Sequence, residues 1–203
     1  MPDSDIITHY LSIWNKPTLV FAKEHGFRPF SLESSRANSE EVKSYLSKNK
    51  IDFIVFNGHG DKNTITGQNE KPIIIAGITH GLLKNKVVYA ISCSSAKGLG
   101  PLCVKGGTIS YIGYNEDFIF YRDANMMTKP LEDELAKLYL EHSSILINAL
   151  LKGNKVKDAY QRAKENLRIN LLKSYDLKDS SVAKYLWWDM EHFVYHGNGE
   201  ALL

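Results

Sequence analysis

The sequence predicts an α/β fold in which a mostly parallel central sheet is flanked by helices. Three observations carry this expectation. Two short runs, Ile51–Phe56 and Val87–Ile91, are almost wholly apolar, the pattern of strands buried on both faces. Segments with helical spacing of apolar residues lie between and after them. Strands separated by helical segments indicate parallel strands joined by crossovers.

The N-terminal part reads as two helical pieces. One runs near Asp5–Trp14; the second opens at Pro17, a favourable first-turn residue, and stops at Gly26. A short strand is expected at Phe30–Glu33. Asn38 or Ser39 then caps a helix whose first turn carries Glu40 and Glu41, complementing the helix dipole. The apolar run that follows ends in Asn57-Gly58-His59-Gly60-Asp61. Lys62–Lys71 reads as a polar loop, Pro72–Ala76 as a short strand and Thr79–Leu83 as a turn of helix. The second apolar strand ends in Ser92-Cys93-Ser94-Ser95. A short helix within Ala96–Lys105 and a third strand, Thr108–Ile112 closed by Gly113, come next. Beyond Pro130, Leu131, Leu135, Leu138, His142, Ile145 and Ala149 keep helical spacing up to Gly153. Val156, Ala159, Ala163, Leu167 and Leu171 mark another helix. Val182–Tyr195 is rich in aromatics, and Asn198-Gly199 makes a final turn.

A chain of 203 residues fits one domain, 1–203, with a helical N-terminal part over about 1–30. Hydrophobic residues make up 43% and charged residues 24%, which is globular rather than disordered composition. The net charge of +2 comes from interleaved acids and bases, so nothing electrostatic points to nucleic acid or an anionic membrane. The start, MPDSDIITHY, lacks the basic and apolar regions of a signal peptide. No run approaches the roughly 20 apolar residues of a membrane span. Two cysteines, Cys93 and Cys103, read most simply as free thiols in a reducing cytoplasm.

Chemistry is expected where two strands end. Ligands of an open parallel sheet bind beyond the C-terminal ends of its strands. One apolar strand here ends in His59 and another in Cys93. If the strands are neighbours, both side chains emerge at one edge. A thiol is a strong nucleophile and an imidazole manages protons near neutral pH. Gly60 removes a side chain where a substrate backbone would approach. The backbone N–H groups of Gly60 and Cys93 then form a candidate oxyanion hole. A lone buried Cys or His is more often structural; the joint placement at two strand ends carries the expectation.

These residues resemble a family. An apolar strand ending in His-Gly, then an apolar strand ending in a small residue and Cys, is the pattern of caspase-fold (clan CD) cysteine peptidases. This group includes caspases, metacaspases, legumain, separase, clostripain, gingipains and CHAT domains. Phe53-Ile-Val-Phe-Asn-Gly-His-Gly60 resembles the histidine strand of the gingipain-like and CHAT branch. Val88-Tyr-Ala-Ile-Ser-Cys-Ser-Ser-Ala-Lys-Gly-Leu-Gly100 resembles its cysteine strand. Gly106-Gly-Thr-Ile-Ser-Tyr-Ile-Gly113 is similar to the next strand, and Leu150-Leu-Lys-Gly153 with Val156–Ala163 to a later helix pair. Val194-Tyr-His-Gly-Asn-Gly199 is similar to the closing segment, where that branch usually has Gly-Asp-Pro. The resemblance spans roughly Asp52–Leu203.

The resemblance implies a three-layer caspase-like (caspase-haemoglobinase) sandwich. It also implies a cysteine endopeptidase that needs no cofactor and acts on protein or peptide substrates. His59 would protonate the leaving amine and Cys93 would attack the scissile carbonyl. The residue before the cut would be read beside the strand after the cysteine strand, which leads into Tyr114-Asn115-Glu116-Asp117. Glu116 or Asp117 there would select Arg or Lys by a charge-assisted contact; a solvated acidic loop is the plainer reading. Tyr111, Tyr114 and Asp123 lie near the same cleft in sequence. Asp61 or Asn57 is placed to orient the imidazole, although turn roles account for both. A partner protein or self-cleavage would activate such an enzyme, with the loops Asp61–Lys71 and Asp117–Thr128 as the places for cleavage or ordering.

The remaining features point elsewhere less strongly. His192 and His196 are four apart on an expected helix, but Glu191 precedes them, which is not the metalloprotease order, so no metal is expected. No Gly-Lys-Ser/Thr phosphate loop exists. The basic residues from Lys152 to Lys178 alternate with acids and read as a solvated helix face. Trp187-Trp188 reads as one core ring and one rim ring, and Cys103 as core. Two other functions stay open: a catalytically silent caspase-like module that binds and regulates a partner, and another thiol-dependent acyl hydrolase.

Overall fold

The computed structural model describes residues 1–177 and 179–203. Lys178, last of the basic residues assigned to a solvated helix face, lies outside the described residues. In chain order the elements are helix α1 (Ile6–Glu24), helix α2 (Ser39–Lys48) and strands β1 (Phe53–Asn57), β2 (Gly60–Asp61), β3 (Thr64–Thr66), β4 (Pro72–Ile75) and β5 (Val87–Ile91). Then follow α3 (Leu99–Lys105), β6 (Ser110–Tyr114), α4 (Glu134–Leu151), α5 (Val156–Ser174), α6 (Ser180–His192) and β7 (Phe193–Gly197).

The main sheet has the order β1-β5-β6-β7. The first three strands run parallel and β7 is antiparallel to β6. The expected α/β class with a mostly parallel sheet is therefore present. β5 and β6 are buried along their whole length, which is what their apolar runs require. Alternation along β5 sorts its side chains onto two faces. Val87, Tyr89 and Ile91 join the larger core with α1, α4, α5 and α6. Val88 and Ala90 join a second core with residues of α2, α3, β3 and β4. Each fully buried Val or Ile among them contributes roughly 1.5–3 kcal/mol. Among the described residues, no helix is long and apolar enough to cross a membrane.

Several expectations need correction. Strand β1 is the sheet's open edge, not a strand buried on both faces; three of its five residues are only half-buried. An apolar cavity of about 400 Å³ runs along that edge, lined by Phe53 and Val55 of β1, Thr18 and Ala22 of α1, and Leu46 of α2. The N-terminal part forms one helix rather than two. Pro17 lies inside α1 and removes one N–H from its ladder, a defect worth about 3 kcal/mol in an isolated helix. The buried stripe Leu11, Asn15, Thr18 and Ala22 continues past it, and α1 packs on α4; tertiary burial overrides the local break. Phe30–Glu33 is not a strand, because its neighbours engage the N-terminus instead: the Met1 ammonium donates to Leu32 O, and Ser34 N–H to Met1 O.

Lys62–Lys71 contains strand β3, which pairs antiparallel with both β2 and β4 in a separate three-stranded sheet. The third main strand passes through Gly113 to Tyr114. A Cβ at Gly113 would lie 2.9 Å from Ala90 O, so the glycine permits close strand approach and does not end the strand. Of the face read in the sequence for α4, His142 and Ala149 are buried, whereas Leu135, Leu138 and Ile145 are only half-buried and Leu131 is exposed; the rest of the buried stripe is Ala136, Tyr139, Leu140, Ser143, Leu146, Ile147, Leu150 and Leu151. Two expectations hold: Asn38 caps α2 through Glu41 N–H, and α5 exposes Arg162, Arg168 and Lys173.

Candidate functional site

The parallel register of β1 and β5 builds the site. Asn57 is the partner of Ile91, so His59 and Cys93 each lie two residues past the same rung. The strand ends are stitched together beyond the ladder. Gly58 N–H donates to Ile91 O at 3.1 Å, and the Ser92 hydroxyl donates to His59 O at 3.1 Å. Gly60 serves this closure. A Cβ there would lie 2.1 Å from Ser92 Oγ and 2.4 Å from Thr64 O. The space expected for a substrate backbone at Gly60 is thus taken by Ser92 and the β3 backbone.

The imidazole is oriented from an unexpected place. His59 Nε2 is 3.0 Å from Asp5 Oδ2. Asp5 is the N-cap of α1 and forms a capping box with Thr8. Both side chains remain about one-third exposed, at 36% each. Burial pushes the Asp5 carboxyl up, but hydrogen bonds from Thr8 N–H, Thr8 hydroxyl and His59 outweigh it, and its pKa lies below the usual carboxylate value. Asp61 and Asn57 do not touch the ring. Asp61 accepts Asn63 N–H at 2.7 Å, a turn role, whereas the Asn57 amide faces Leu11 O and Met1 Sδ. The helical N-terminal part, to which the sequence assigned no role at the site, therefore supplies the histidine's partner. The only signal was Asp5 itself, an evident N-cap with no visible link to a residue 54 positions later.

Cys93 sits in a tight turn after β5, and the next residue, Ser94, has φ of 53°. A non-glycine residue in this left-handed region is strained, and such strain clusters at functional sites. Among the described residues, however, no hydrogen bond joins the thiol to His59. The thiol's hydrogen-bond partner among the described residues is Phe118 O, with Sγ at 3.9 Å. Burial raises the thiol's pKa; a backbone contact at Phe118 opposes that rise, and the nearby carboxyls of Asp117 and Asp189 add to it. Cys93 is thus a half-covered thiol whose ionisation is disfavoured by its burial. Cys103 is fully buried, as expected, and burial alone pushes it up to about 12.

The expected substrate-reading residues divide. Glu116 and Asp117 do lie beside Cys93: Ser94 N–H donates to Glu116 O and the Ser94 hydroxyl to Asp117 Oδ1 at 2.9 Å. Glu116 is ion-paired with Lys97, so both carboxylates already have internal partners. Tyr111 and Tyr114 are fully buried and lie on opposite faces of β6, in different cores, so neither lines an open cleft. The Tyr114 hydroxyl is instead hydrogen-bonded to His142 Nε2 at 2.5 Å. Asp123 caps its own turn through Asn125 N–H.

Sequence reasoning missed Asp189. It is fully buried on α6, accepts Ile119 N–H at 3.1 Å and leaves Oδ2 without a hydrogen-bond partner among the described residues. Burial pushes its pKa far above the carboxylate range, against the pull of the Ile119 N–H.

His192 and His196 do not share a helix. His192 ends α6 and bonds Asn115 Oδ1, while His196 is in β7 and bonds Ala96 O. No metal-holding cluster occurs among the described residues. The expected core-and-rim split of the tryptophans fails too: Trp187 is half-exposed and Trp188 lies at the rim, its N–H on Asp117 O.

No family model, curated protein or solved structure matches the chain.

Proposed function

We propose that the chain is a cysteine endopeptidase of caspase-like, three-layer sandwich architecture. Cys93 is the nucleophile and His59 the general acid/base, with Asp5 holding the imidazole. The observation that carries this reading is the β1–β5 register, which puts His59 and Cys93 at the same end of adjacent parallel strands. The strained Ser94 beside the thiol supports it.

In the proposed reaction the Cys93 proton passes to His59 and Sγ bonds to the scissile carbonyl carbon. His59 then delivers the proton to the departing amine as the C–N bond breaks. Water, deprotonated by His59, hydrolyses the thioester and restores the thiol. The N–H groups of Gly60 and Cys93 are the proposed oxyanion donors. A preference for a basic residue before the cut belongs to the same proposal and rests on Glu116 and Asp117 beside Cys93, in competition with Lys97 and Ser94 for those carboxylates.

A second reading has its own observation. The raised thiol pKa and the Phe118 contact in place of His59 favour a catalytically silent module that binds a partner. A third, another thiol-dependent acyl hydrolase, uses the same pair. A panel of fluorogenic peptides varied at the residue before the cut, with Cys93→Ala as control, separates them. Cleavage lost in Cys93→Ala supports the peptidase. Ester hydrolysis without peptide cleavage supports the acyl hydrolase. Neither activity in the full-length chain, nor after cutting next to the segment that covers Cys93, supports the silent module.

A further inference from the structure

We propose that Glu116–Tyr121 is an autoinhibitory strap that keeps Cys93 from reagents and substrates until the segment lifts. Its biological meaning rests on the peptidase reading, but its physical claim concerns access to the thiol alone.

After β6 the chain folds back over the turn that carries Cys93. Successive residues are pinned there by groups outside the segment. Glu116 O accepts Ser94 N–H at 3.0 Å. Asp117 takes the Ser94 hydroxyl through its carboxylate and the Trp188 indole N–H through its carbonyl, both at 2.9 Å. Phe118 O receives the Cys93 thiol. Ile119 N–H reaches Asp189. Phe118 and Phe120 pack inward, with the Phe118 ring 4.7 Å from Tyr114 and 5.9 Å from Phe120 between centroids. Two residues beyond the segment, Asp123 N–H is held by the buried Asp133 carboxyl at 2.9 Å.

The same arrangement makes the closed state poised. Aromatic burial and the N–H contacts hold the strap down. Asp189 pins the strap through Ile119 N–H, but the burial of its carboxyl opposes the closed state. Its carboxyl is wholly out of water, with one oxygen bonded to the strap and the other to nothing among the described residues. A buried acid left half-satisfied is penalised, and lifting the strap returns it to solvent. One movement would therefore release the carboxyl, free the thiol from Phe118 O and open the space in front of Cys93. The cavity of about 400 Å³ along β1 is lined by neither His59 nor Cys93.

The test is the rate of Cys93 alkylation by iodoacetamide in the full chain, read by peptide mass mapping, with the buried Cys103 as internal reference. Two perturbations leave His59 and Cys93 in place. Trp188→Phe keeps a ring but removes the N–H from Asp117 O. A specific-protease sequence inserted between the exposed Met127 and Thr128 allows the chain to be cut after folding. In the intact chain Cys93 is expected to react at least about tenfold more slowly than in urea. Either perturbation is expected to restore about tenfold, with Cys103 unchanged. Cys93 reacting as fast in the intact chain as in urea would overturn the proposal. So would an unchanged rate in both perturbed chains. Unmasking without peptide cleavage leaves the strap standing and removes the peptidase reading; peptide cleavage without unmasking does the reverse.

Discussion

His59 and Cys93 occupy equivalent rungs of neighbouring strands, yet their surroundings are opposite. His59 follows an edge strand, is one-third exposed and is held by a hydrogen bond to Asp5, the N-cap of a distant helix. Cys93 leaves a strand buried on both faces, and its thiol is turned into a carbonyl of the segment above it. The histidine is open to solvent and held from one side; the thiol is half-covered, and burial raises its pKa. Register alone places two groups at one edge. Their chemical state is set by whatever the rest of the chain stacks against each.

The largest effect expected on this contrast is at the cysteine. Cys93→Ala should abolish peptide cleavage, by about 10³-fold or more, with an unchanged unfolding midpoint. Cys103→Ala should retain activity while losing about 1–3 kcal/mol from the core, measured by urea unfolding. Residual cleavage in Cys93→Ala at wild-type rate would remove the assignment.

At the histidine, Asp5→Asn keeps an oxygen for the Ile7 and Thr8 N–H groups but loses the charge. It should lower kcat by about tenfold and alter the acid limb of the pH–rate profile, with stability little changed. Asp5→Ala should in addition cost about 1 kcal/mol of helix capping. If both variants lose stability equally and neither changes the profile, Asp5 is a cap and nothing more.

Gly60→Ala tests the stitch that joins the two halves. Its Cβ would meet Ser92 Oγ and Thr64 O, and backbone cannot yield cheaply. A loss of about 1–3 kcal/mol is expected by urea unfolding. The paired variant Gly60→Ala with Ser92→Ala should recover only part of it, because Thr64 O stays.

The smallest effect is in the core beneath Cys93. His142 is buried and neutral, with its pKa lowered to about 4 by desolvation, against a weaker upward pull from the Tyr139 backbone. The unfolded chain takes up that proton from about pH 6.5 downward, so this group's contribution to stability is lost as pH falls from about 6.5 to about 4. Asp189 has the opposite sign: its raised pKa lets the folded chain hold a proton above the usual carboxylate value, which favours folding as pH falls. Asp189→Asn should therefore steepen the acid-side loss, and His142→Gln should flatten it, when urea midpoints are compared between about pH 7 and about pH 4.5. Parallel slopes in the two variants would contradict this pairing of signs.

Much of the framework could be read in the residues. The apolar runs at 51–56 and 87–91 announced β1 and β5. Asn38 announced a cap, and Val156–Leu171 announced α5. Each is a local pattern with a local cause. The misreadings share a different cause. Pro17 is a helix-breaking signal overridden by packing on α4, and Phe30–Glu33 has strand-like residues but no strand to pair with. Tyr114 reads as a cleft residue only because sequence does not say which side of β6 faces His142.

For the candidate site, the sequence by itself determined the two chemical groups and the strands that carry them; that Gly60 lets the strand ends close came from the structure. Short-range periodicity and residue chemistry are sufficient for the groups and their strands. Only the tertiary structure decided that Asp5 grips His59, that Phe118 O meets the Cys93 thiol and that Ile119 N–H bonds the buried Asp189. Those contacts join residues 54, 25 and 70 positions apart. Their energies depend on burial and on which polar groups are left to pair, and neither is a property of any local stretch of chain.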